Sequence, residues 1–381
     1  MRVLNVSALI DPVSGGGTAE RTAQLSRAMA RAGIGVRVLA TDAGMRSPDR
    51  RADLGRAELT LLPCRNERFL LPRARGRELE GYVQQADVVH LTNHWTALNL
   101  LVQRAARRLG KPYVVCPAGA LPIYGRSKWL KRAYNAVGGQ ALVAGAAAWI
   151  AITRRETADF APYGIEPGRV EVIPNGIEPA DYEHGDARAF RDRLGLGESR
   201  VILFVGRLNE IKGPDLLLEA FAAQARSLSS CVLVYVGPDG GMRARLEESA
   251  RGRGLADRVR FAGWLGGSDK VAAYRAADLV VVPSRQEAMS LVALEAGACG
   301  KPVLMSDRCG FDEAVQAGGA RAVPPDADRL AVELAELMLR APLTAMGERL
   351  RELVRRAYTW DAAVARYSEV FRRVMAPAPS R

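Results

Sequence analysis

Short apolar runs rich in β-branched residues recur through the first half of the chain: RVLNVSAL, VRVLAT, DVVHLT, PYVVCPA, WIAIT and VEVIP. Between them lie stretches with helical periodicity, among them Glu20 to Arg31 and Leu98 to Arg108. Strand-length and helix-length patterns in alternation predict βαβ units and a parallel sheet. Residues 174–199 then read as polar and turn-rich, after which a second series begins: VILFVG, CVLVYVG, RVRFAG, DLVVVPS and PVLMS. From about Ala327 the pattern is helical, closing on DAAVARYSEVFRRVM. The fold class is therefore α/β, with two Rossmann-like domains over 1–180 and 200–358, a linker region over 181–199 and a terminal helix over 359–381.

Length agrees, since 381 residues exceed one ordinary core and suit two. With 48% hydrophobic and 25% charged residues, no tract is biased enough to stay unfolded. No apolar run reaches the ~18 residues of a membrane span, and MRVLNVSALIDP lacks the pattern of a secretory leader, so a cytoplasmic protein is expected. Cys64, Cys116, Cys231, Cys299 and Cys309 are scattered and never form CxxC, which points to reduced core thiols rather than disulfides or a zinc cage.

The formal charge of +12 comes from arginine spread over both halves, without the interleaved aromatics of a nucleic-acid platform. Anionic small molecules or a lipid surface account for it equally well. The densest clusters are Arg65 to Arg77, then Arg126, Lys128, Lys131 and Arg132 beside Trp129 and Tyr134. The second suits peripheral contact with an anionic membrane, although a solvated helix face is the commoner origin of such a run.

A parallel sheet binds ligands beyond the carboxyl ends of its strands. In the second half that rim carries Arg207 and Lys212 after VILFVG, Asp239 after CVLVYVG, and Arg285 and Glu287 after DLVVVPS. In the first it carries Gly15 to Gly17, then Asn93 and His94 after DVVHLT, and Gly119 after PYVVCPA. Two such rims imply an interdomain cleft, with Asn93, His94 and Gly119 on the acceptor side.

Within GRLNEIKG, Arg207 and Lys212 stand five residues apart across a strand-to-helix turn. A planar fork and a mobile ammonium so placed would neutralise a diphosphate with no metal ion. The block PSRQEAMSLVALEAGACGKPV sets Glu287 and Glu295 eight apart, with Ser290 at a helix start. Five helical residues rise ~7.5 Å, roughly the reach from diphosphate to ribose. One carboxylate would then hold sugar hydroxyls and the other ribose hydroxyls, while the helix start and Ser290 face the phosphates. Glu295 interrupts an apolar stretch, and a buried carboxylate needs partners that a ribose would supply.

With these blocks in view, the chain resembles a retaining GT-B glycosyltransferase of family 4 over nearly its full length. The resemblance is carried by GGGTAER, DVVHLTNHW, IAIT followed by Glu156, VIPNGIE, GRLNEIKG, VRFAGWL, the Glu287 to Glu295 block and Trp360 with its helix. It implies two facing domains, a C-terminal helix returning to the first, and a nucleotide-diphosphate sugar donor with UDP or GDP as product and no cofactor. It implies catalytic roles for Arg207, Lys212 and Glu287, and His94, two residues past the position where the family commonly has a histidine, is the catalytic candidate on the acceptor side. It implies donor contacts from Gly16, Gly17, Gly206, Arg207, Lys212, Gly237, Arg260, Phe261, Gly263, Glu287, Ser290, Leu291 and Glu295. A saccharide or lipid-linked acceptor is the family-level expectation, with a donor phosphate oxygen taking the acceptor's proton.

The chain departs from the family pattern at Ala288 and Ser290, where glycines are usual, and at Thr92, where a histidine is common. His94 is preferred to His90 for the acceptor side because His90 lies inside a strand pattern. GGGTAER lacks GxGxxG spacing, which argues against a nicotinamide dehydrogenase. The sequence Asp326, Ala327, Asp328 spells a metal-binding DxD but reads as a helix cap. A sugar-nucleotide epimerase and a non-enzymatic polyanion or membrane binder are the remaining alternatives.

Overall fold

The structure is a computed structural model that describes residues 1–45, 53–123 and 127–376. It divides into two compact units, Met1–Gly176 with Trp360–Arg381, and Ile177–Thr359.

In the first unit the apolar runs become β1 (Arg2–Val6), β2 (Gly35–Thr41), β3 (Glu58–Leu62), the small antiparallel pair β4 (Cys64–Asn66) and β5 (Leu71–Pro72), then β6 (Val88–Thr92), β7 (Tyr113–Cys116), β8 (Ala148–Ala151) and β9 (Glu171–Val172). The seven-stranded sheet is parallel in the order β3-β2-β1-β6-β7-β8-β9. The helices are α1 (Pro12–Arg31), α2 (Gly76–Gln85), α3 (Ala97–Arg108), α4 (Lys128–Tyr134) and α5 (Gln140–Ala144). Strands β6, β7 and β8 are buried along their whole length, as a sheet covered on both faces requires. Leu4, Val6, Leu91, Val115 and Phe160 belong to the core beneath them.

The second unit opens earlier than its expected boundary. The stretch 181–199, expected as a linker, belongs to this unit and contains α6 (Ala187–Leu194). Asp186 caps α6 by accepting the Ala189 N–H at 3.0 Å, Gly195 ends it in a left-handed turn, and Phe190 is buried. Those cap signals lie in the sequence and outweigh the polar composition that made the stretch read as a linker. Its strands are β10 (Arg200–Val205), β11 (Cys231–Val236), β12 (Val259–Gly263), β13 (Leu279–Val282), β14 (Val303–Ser306) and β15 (Ala320–Val323). They pair in parallel as β12-β11-β10-β13-β14-β15. The helices are α7 (Pro214–Ala223), α8 (Arg243–Gly252), α9 (Gly267–Ala276), α10 (Leu291–Ala298), α11 (Asp312–Gln316), α12 (Ala327–Arg340) and α13 (Leu343–Ala357).

The last helix, α14 (Trp360–Met375), belongs to the first unit. Trp360, Val364, Tyr367 and Phe371 are buried at helical spacing. Trp360 Nε1 donates to Gln24 Oε1 at 2.7 Å and Arg21 Nη2 donates to the Tyr367 hydroxyl at 2.7 Å.

Both sheets reverse strand order beside their first strand, between β1 and β6 and between β10 and β13. These switch points are where connections leave on opposite faces and open a crevice at the carboxyl ends. No helix among the described residues is long and apolar enough to cross a membrane.

Candidate active site

At the second switch point, the turn after β10 lies against the end of β13. Gly213 makes this possible: it sits at φ +68°, and a Cβ there would meet the Pro283 carbonyl oxygen at 2.3 Å. Arg285, beyond β13, ties the two loops together. Its N–H donates to Ile211 O at 2.8 Å, and its guanidinium bonds both Asp215 oxygens at 2.9 and 2.7 Å and Glu210 O at 2.7 Å. Arg285 is thereby a structural clamp rather than a ligand-facing cation.

The result is a pair that spans 75 positions: Lys212 Nζ donates to Glu287 Oε1 at 2.9 Å. Ser284 Oγ donates to the other Glu287 oxygen at 2.9 Å. The side chains are 32% and 12% exposed for Lys212 and Glu287, so the pair is half-sheltered yet reachable. The backbone of this loop is held by Glu287 N–H to Arg308 O at 3.2 Å and Ser290 N–H to Cys309 O at 3.1 Å. Arg207, half-buried, packs beside the turn at Gly240, where an added Cβ would meet its Cγ at 2.9 Å.

Ser290 caps α10, accepting the Ala293 N–H on its hydroxyl oxygen at 3.2 Å. The N–H groups of Leu291 and Val292 have no acceptor inside the helix, as in any first helical turn, and give α10 a positive end next to Glu287. Glu295, one turn further, is buried and already surrounded. Lys270 Nζ donates to Oε1 at 2.8 Å, the Tyr182 hydroxyl to Oε1 at 3.0 Å, and the Tyr274 hydroxyl to Oε2 at 2.6 Å. Protein donors thus supply partners that the sequence suggested a ribose would supply alone. Tyr182, Lys270 and Tyr274 escaped the sequence reading; the only signal was Lys270 and Tyr274 one helical turn apart.

The glycine candidates end adjacent strands. Gly206 N–H donates to Val236 O at 2.9 Å and Gly237 N–H to Gly263 O at 2.7 Å. Gly237 has φ +144°, and a Cβ would run into the Gly206 carbonyl oxygen at 1.9 Å. Arg260 and Phe261 lie on β12 at the sheet edge, with the Arg260 guanidinium turned to Leu194 O at 3.1 Å and Ala256 O at 3.3 Å. Asp239 accepts the Gly241, Met242 and Arg243 N–H groups at 2.8, 3.0 and 3.1 Å, so it caps α8.

In the first unit, Asp11 caps the opening turn of α1, and a kink at Gly16 (φ +54°, ψ −140°) separates it from the rest of the helix. Gly17 follows at the surface. Asn93 occupies a left-handed turn at φ +69° after β6. His94 does not stand at the rim as expected. It is fully buried, with Nε2 3.0 Å from Asn135 Oδ1 and 3.3 Å from the Tyr163 hydroxyl, and ringed by Trp95, Tyr134 and Tyr163. Burial pushes its pKa down to about 4. Apart from the adjacent Trp95, the side chains that enclose it, Tyr134, Asn135 and Tyr163, come from distant positions, so its burial could not be read locally.

The same rim holds a group the motifs left without a role. Glu156 Oε1 accepts the Gly119 N–H at 2.5 Å and Oε2 accepts the Ile152 N–H at 2.7 Å. Burial raises its pKa to about 7 against the pull of those two bonds. Arg21, also buried, bonds Asn175 Oδ1 at 2.8 Å and Cys116 Sγ at 3.1 Å. A separate cavity of about 280 Å³ opens among Arg2, Gly35, Arg37, Arg56, Glu58 and Tyr82, on the amino ends of the strands and away from this rim.

Taken together, two Rossmann-like units with charged, glycine-lined strand ends define a class of doubly wound α/β protein, in which ligands bind at the strand ends. Known proteins agree. The family model described as "Glycosyl transferase 4-like domain" matches residues 16–176, and that described as "Glycosyl transferases group 1" matches residues 186–360. A D-inositol 3-phosphate glycosyltransferase of Geodermatophilus obscurus is 37% identical over 240 residues, which is 60% of this chain and 53% of that protein. One from Acidothermus cellulolyticus is 43% identical over 166 residues, 41% of this chain and 37% of that protein. The chain thus spans about half the length, or less, of these curated relatives. In fold it is similar to the sucrose-phosphate synthase of Thermosynechococcus elongatus, with a TM-score of 0.79, 22% identity, and 99% and 100% of the two chains covered. HepE of Anabaena, solved in complex with UDP, gives a TM-score of 0.79 at 19% identity, with 98% and 100% covered. The chain belongs to the GT-B glycosyltransferases of family 4.

Proposed function

We propose that this chain is a retaining glycosyltransferase that moves a sugar from a nucleotide-diphosphate donor, with UDP or GDP leaving, to a hydroxyl on a saccharide or lipid-linked acceptor, without a metal ion. The observation that carries this is the Lys212–Glu287 pair at the mouth of α10. Lys212, Arg207 and the N–H groups of Leu291 and Val292 are positive groups suited to the charge that grows on a departing diphosphate. Glu287, tethered by Lys212 and Ser284, is suited to accept hydrogen bonds from the transferred sugar's hydroxyls. Glu295 takes the ribose. The acceptor hydroxyl attacks from the leaving-group face and a donor phosphate oxygen takes its proton, so no protein base is needed, and buried His94 serves the acceptor side only through the loop it supports.

Relatives named D-inositol 3-phosphate glycosyltransferases make a phosphorylated cyclitol one acceptor to test, and the UDP complex of HepE favours UDP. Trp129 and Val137 are exposed at 69% and 66% near exposed Lys128 and Arg132, which suits peripheral contact with an anionic membrane surface. Arg126, the first cation of that cluster, lies outside the described residues. The test is calorimetry with UDP, GDP, ADP and TDP, followed by turnover of their glucose conjugates. Heat and turnover with one of them are expected; silence with all four would remove the reading, and acceptor-free isomerisation would replace it with an epimerase.

A further inference from the structure

The Glu295 carboxylate has about four acceptor positions, two on each oxygen. Lys270 and Tyr182 occupy both on Oε1, and Tyr274 occupies one on Oε2. The side chain is 7% exposed and Lys270 is 19% exposed, while Tyr182 and Tyr274 are buried. Lys270 and Tyr274 reach it from adjacent turns of α9, and Tyr182 from the short helical turn Pro179–Tyr182. Three donors from two other elements converge on one anion of α10.

A purely structural staple is a poor account of this. A sheltered ion pair contributes little net stability compared with apolar side chains of the same volume. Tyrosines apart, the second unit otherwise buries polar side chains at Ser284, Ser290 and Ser306, at the strand ends and helix start around Glu287. Buried polarity in this unit thus gathers at one place, and the Glu295 cluster is part of it.

We propose that Lys270, Tyr274 and Tyr182 are positioning residues for donor recognition. They hold the Glu295 carboxylate turned so that a single acceptor position, on Oε2, remains for one ribose hydroxyl. This rests on Glu295 being the ribose ligand. Its consequence is selectivity: the site reads one hydroxyl of the ribose rather than both, and loses that reading when the carboxylate is free to rotate. Lys270 sets a counter-charge against the sheltered carboxylate at 2.8 Å, and the two hydroxyl groups set its rotation.

The experiment is titration calorimetry of the full chain with UDP and GDP and with the 2′-deoxy and 3′-deoxy analogue of each. It compares wild type with Lys270→Met, Lys270→Arg and Tyr274→Phe, with donor KM and kcat measured alongside. Wild type should bind the ribonucleotide roughly tenfold or more tighter than one of its two deoxy analogues and within about threefold of the other, as loss of one charge-assisted hydrogen bond requires. Lys270→Met and Tyr274→Phe should shrink that ratio to within about threefold and raise donor KM with kcat nearly unchanged. Lys270→Arg should retain the ratio. A staple would instead lower the melting temperature of Lys270→Met and Tyr274→Phe and leave the ratio intact; that result, or an intact ratio at an unchanged melting temperature, overturns the inference while the ribose role of Glu295 stands. If wild type binds neither nucleotide, or binds the analogues equally, the ribose role itself fails and the inference falls with it.

Discussion

Of the twenty-one polar or charged side chains buried among the described residues, seventeen lie in the first unit and four in the second. The two sheets have the same strand order about their switch points, so the contrast does not come from topology. In the second unit, Ser284, Ser290, Glu295 and Ser306 all sit at or near the strand ends around Glu287, and the remaining core is apolar. In the first, buried polarity runs beneath the rim. His90 Nδ1 lies 3.0 Å from Asn5 Oδ1, Asn99 Nδ2 donates to Thr92 O at 3.0 Å, and Arg21 joins Asn175 to Tyr367. One unit thus concentrates its polar groups where an anion would bind, and the other invests them in holding loops in shape. Concentrated groups should affect turnover most, and distributed ones stability and its pH dependence.

The largest effect should come from breaking the Lys212–Glu287 pair. Lys212→Ala and Glu287→Ala are each expected to cut donor turnover by at least about tenfold, or 1.4 kcal/mol of transition-state stabilisation. If the two act as a unit, the double variant falls little below the worse single one. Rates and melting curves of the four proteins check this. Wild-type turnover in both single variants would show that the concentrated polarity of the second unit is not where chemistry happens.

Acid sharpens the contrast in the other direction. Burial holds the pKa of His90 down to about 3, helped by the Arg21 guanidinium, and that of His94 down to about 4. A histidine whose pKa is lower folded than unfolded contributes stability that is present above about pH 6.5 and lost as pH falls through the folded value. Each unit of difference amounts to about 1.4 kcal/mol, so the first unit should loosen first as pH drops from 7 to 4. Glu156 runs oppositely. Its pKa is raised by burial from 4.5 to about 7, so its contribution is intact below about pH 4.5 and lost as pH climbs through 7, by up to about 3 kcal/mol. Glu156→Gln should therefore flatten the neutral limb of the first unit's profile and leave the acid limb. Hydrogen exchange read separately on peptides of the two units, at pH 4, 5.5, 7 and 8, checks both. Earlier opening of the second unit on acidification would break the comparison.

The same contrast explains what could be read from residues alone. Strand ends and the turns that follow them are local, so Arg207, Lys212, Glu287 and Ser290 could be placed from spacing without any tertiary knowledge. Partners that arrive from elsewhere could not. Nothing near Glu295 in the sequence announces Tyr182, which lies 113 positions away, and nothing near His94 announces Asn135 or Tyr163. His94 was therefore expected in the open, where a strand end usually lies, and is instead roofed by aromatics. Arg21 stands in a helical pattern, where an arginine normally faces water; its neighbours Ala19, Thr22, Ala23 and Leu25 are buried with it, and the small apolar residues among them are the sequence's hint that it points inward. The α6 stretch was misread for the converse reason, since its composition is polar but its caps are strong.

The smallest expected effect concerns Asp326. In the sequence it forms the first half of a DxD, which in a metal-dependent transferase would hold the cation that steadies the diphosphate. Here its carboxylate accepts the Arg329 N–H at 3.0 Å and caps α12. No group of three or more histidine, cysteine, aspartate or glutamate side chains suited to a metal ion occurs among the described residues. Asp326→Ala should cost about 1 kcal/mol of stability, the usual worth of an N-cap, and change turnover by less than about twofold. Turnover should also be the same with and without chelator. A variant that melts like wild type yet loses activity, or a wild type silenced by chelator and restored by magnesium or manganese, would move the charge-bearing site from the strand ends of the second unit to the start of α12. The positive groups at the mouth of α10 would then need another explanation.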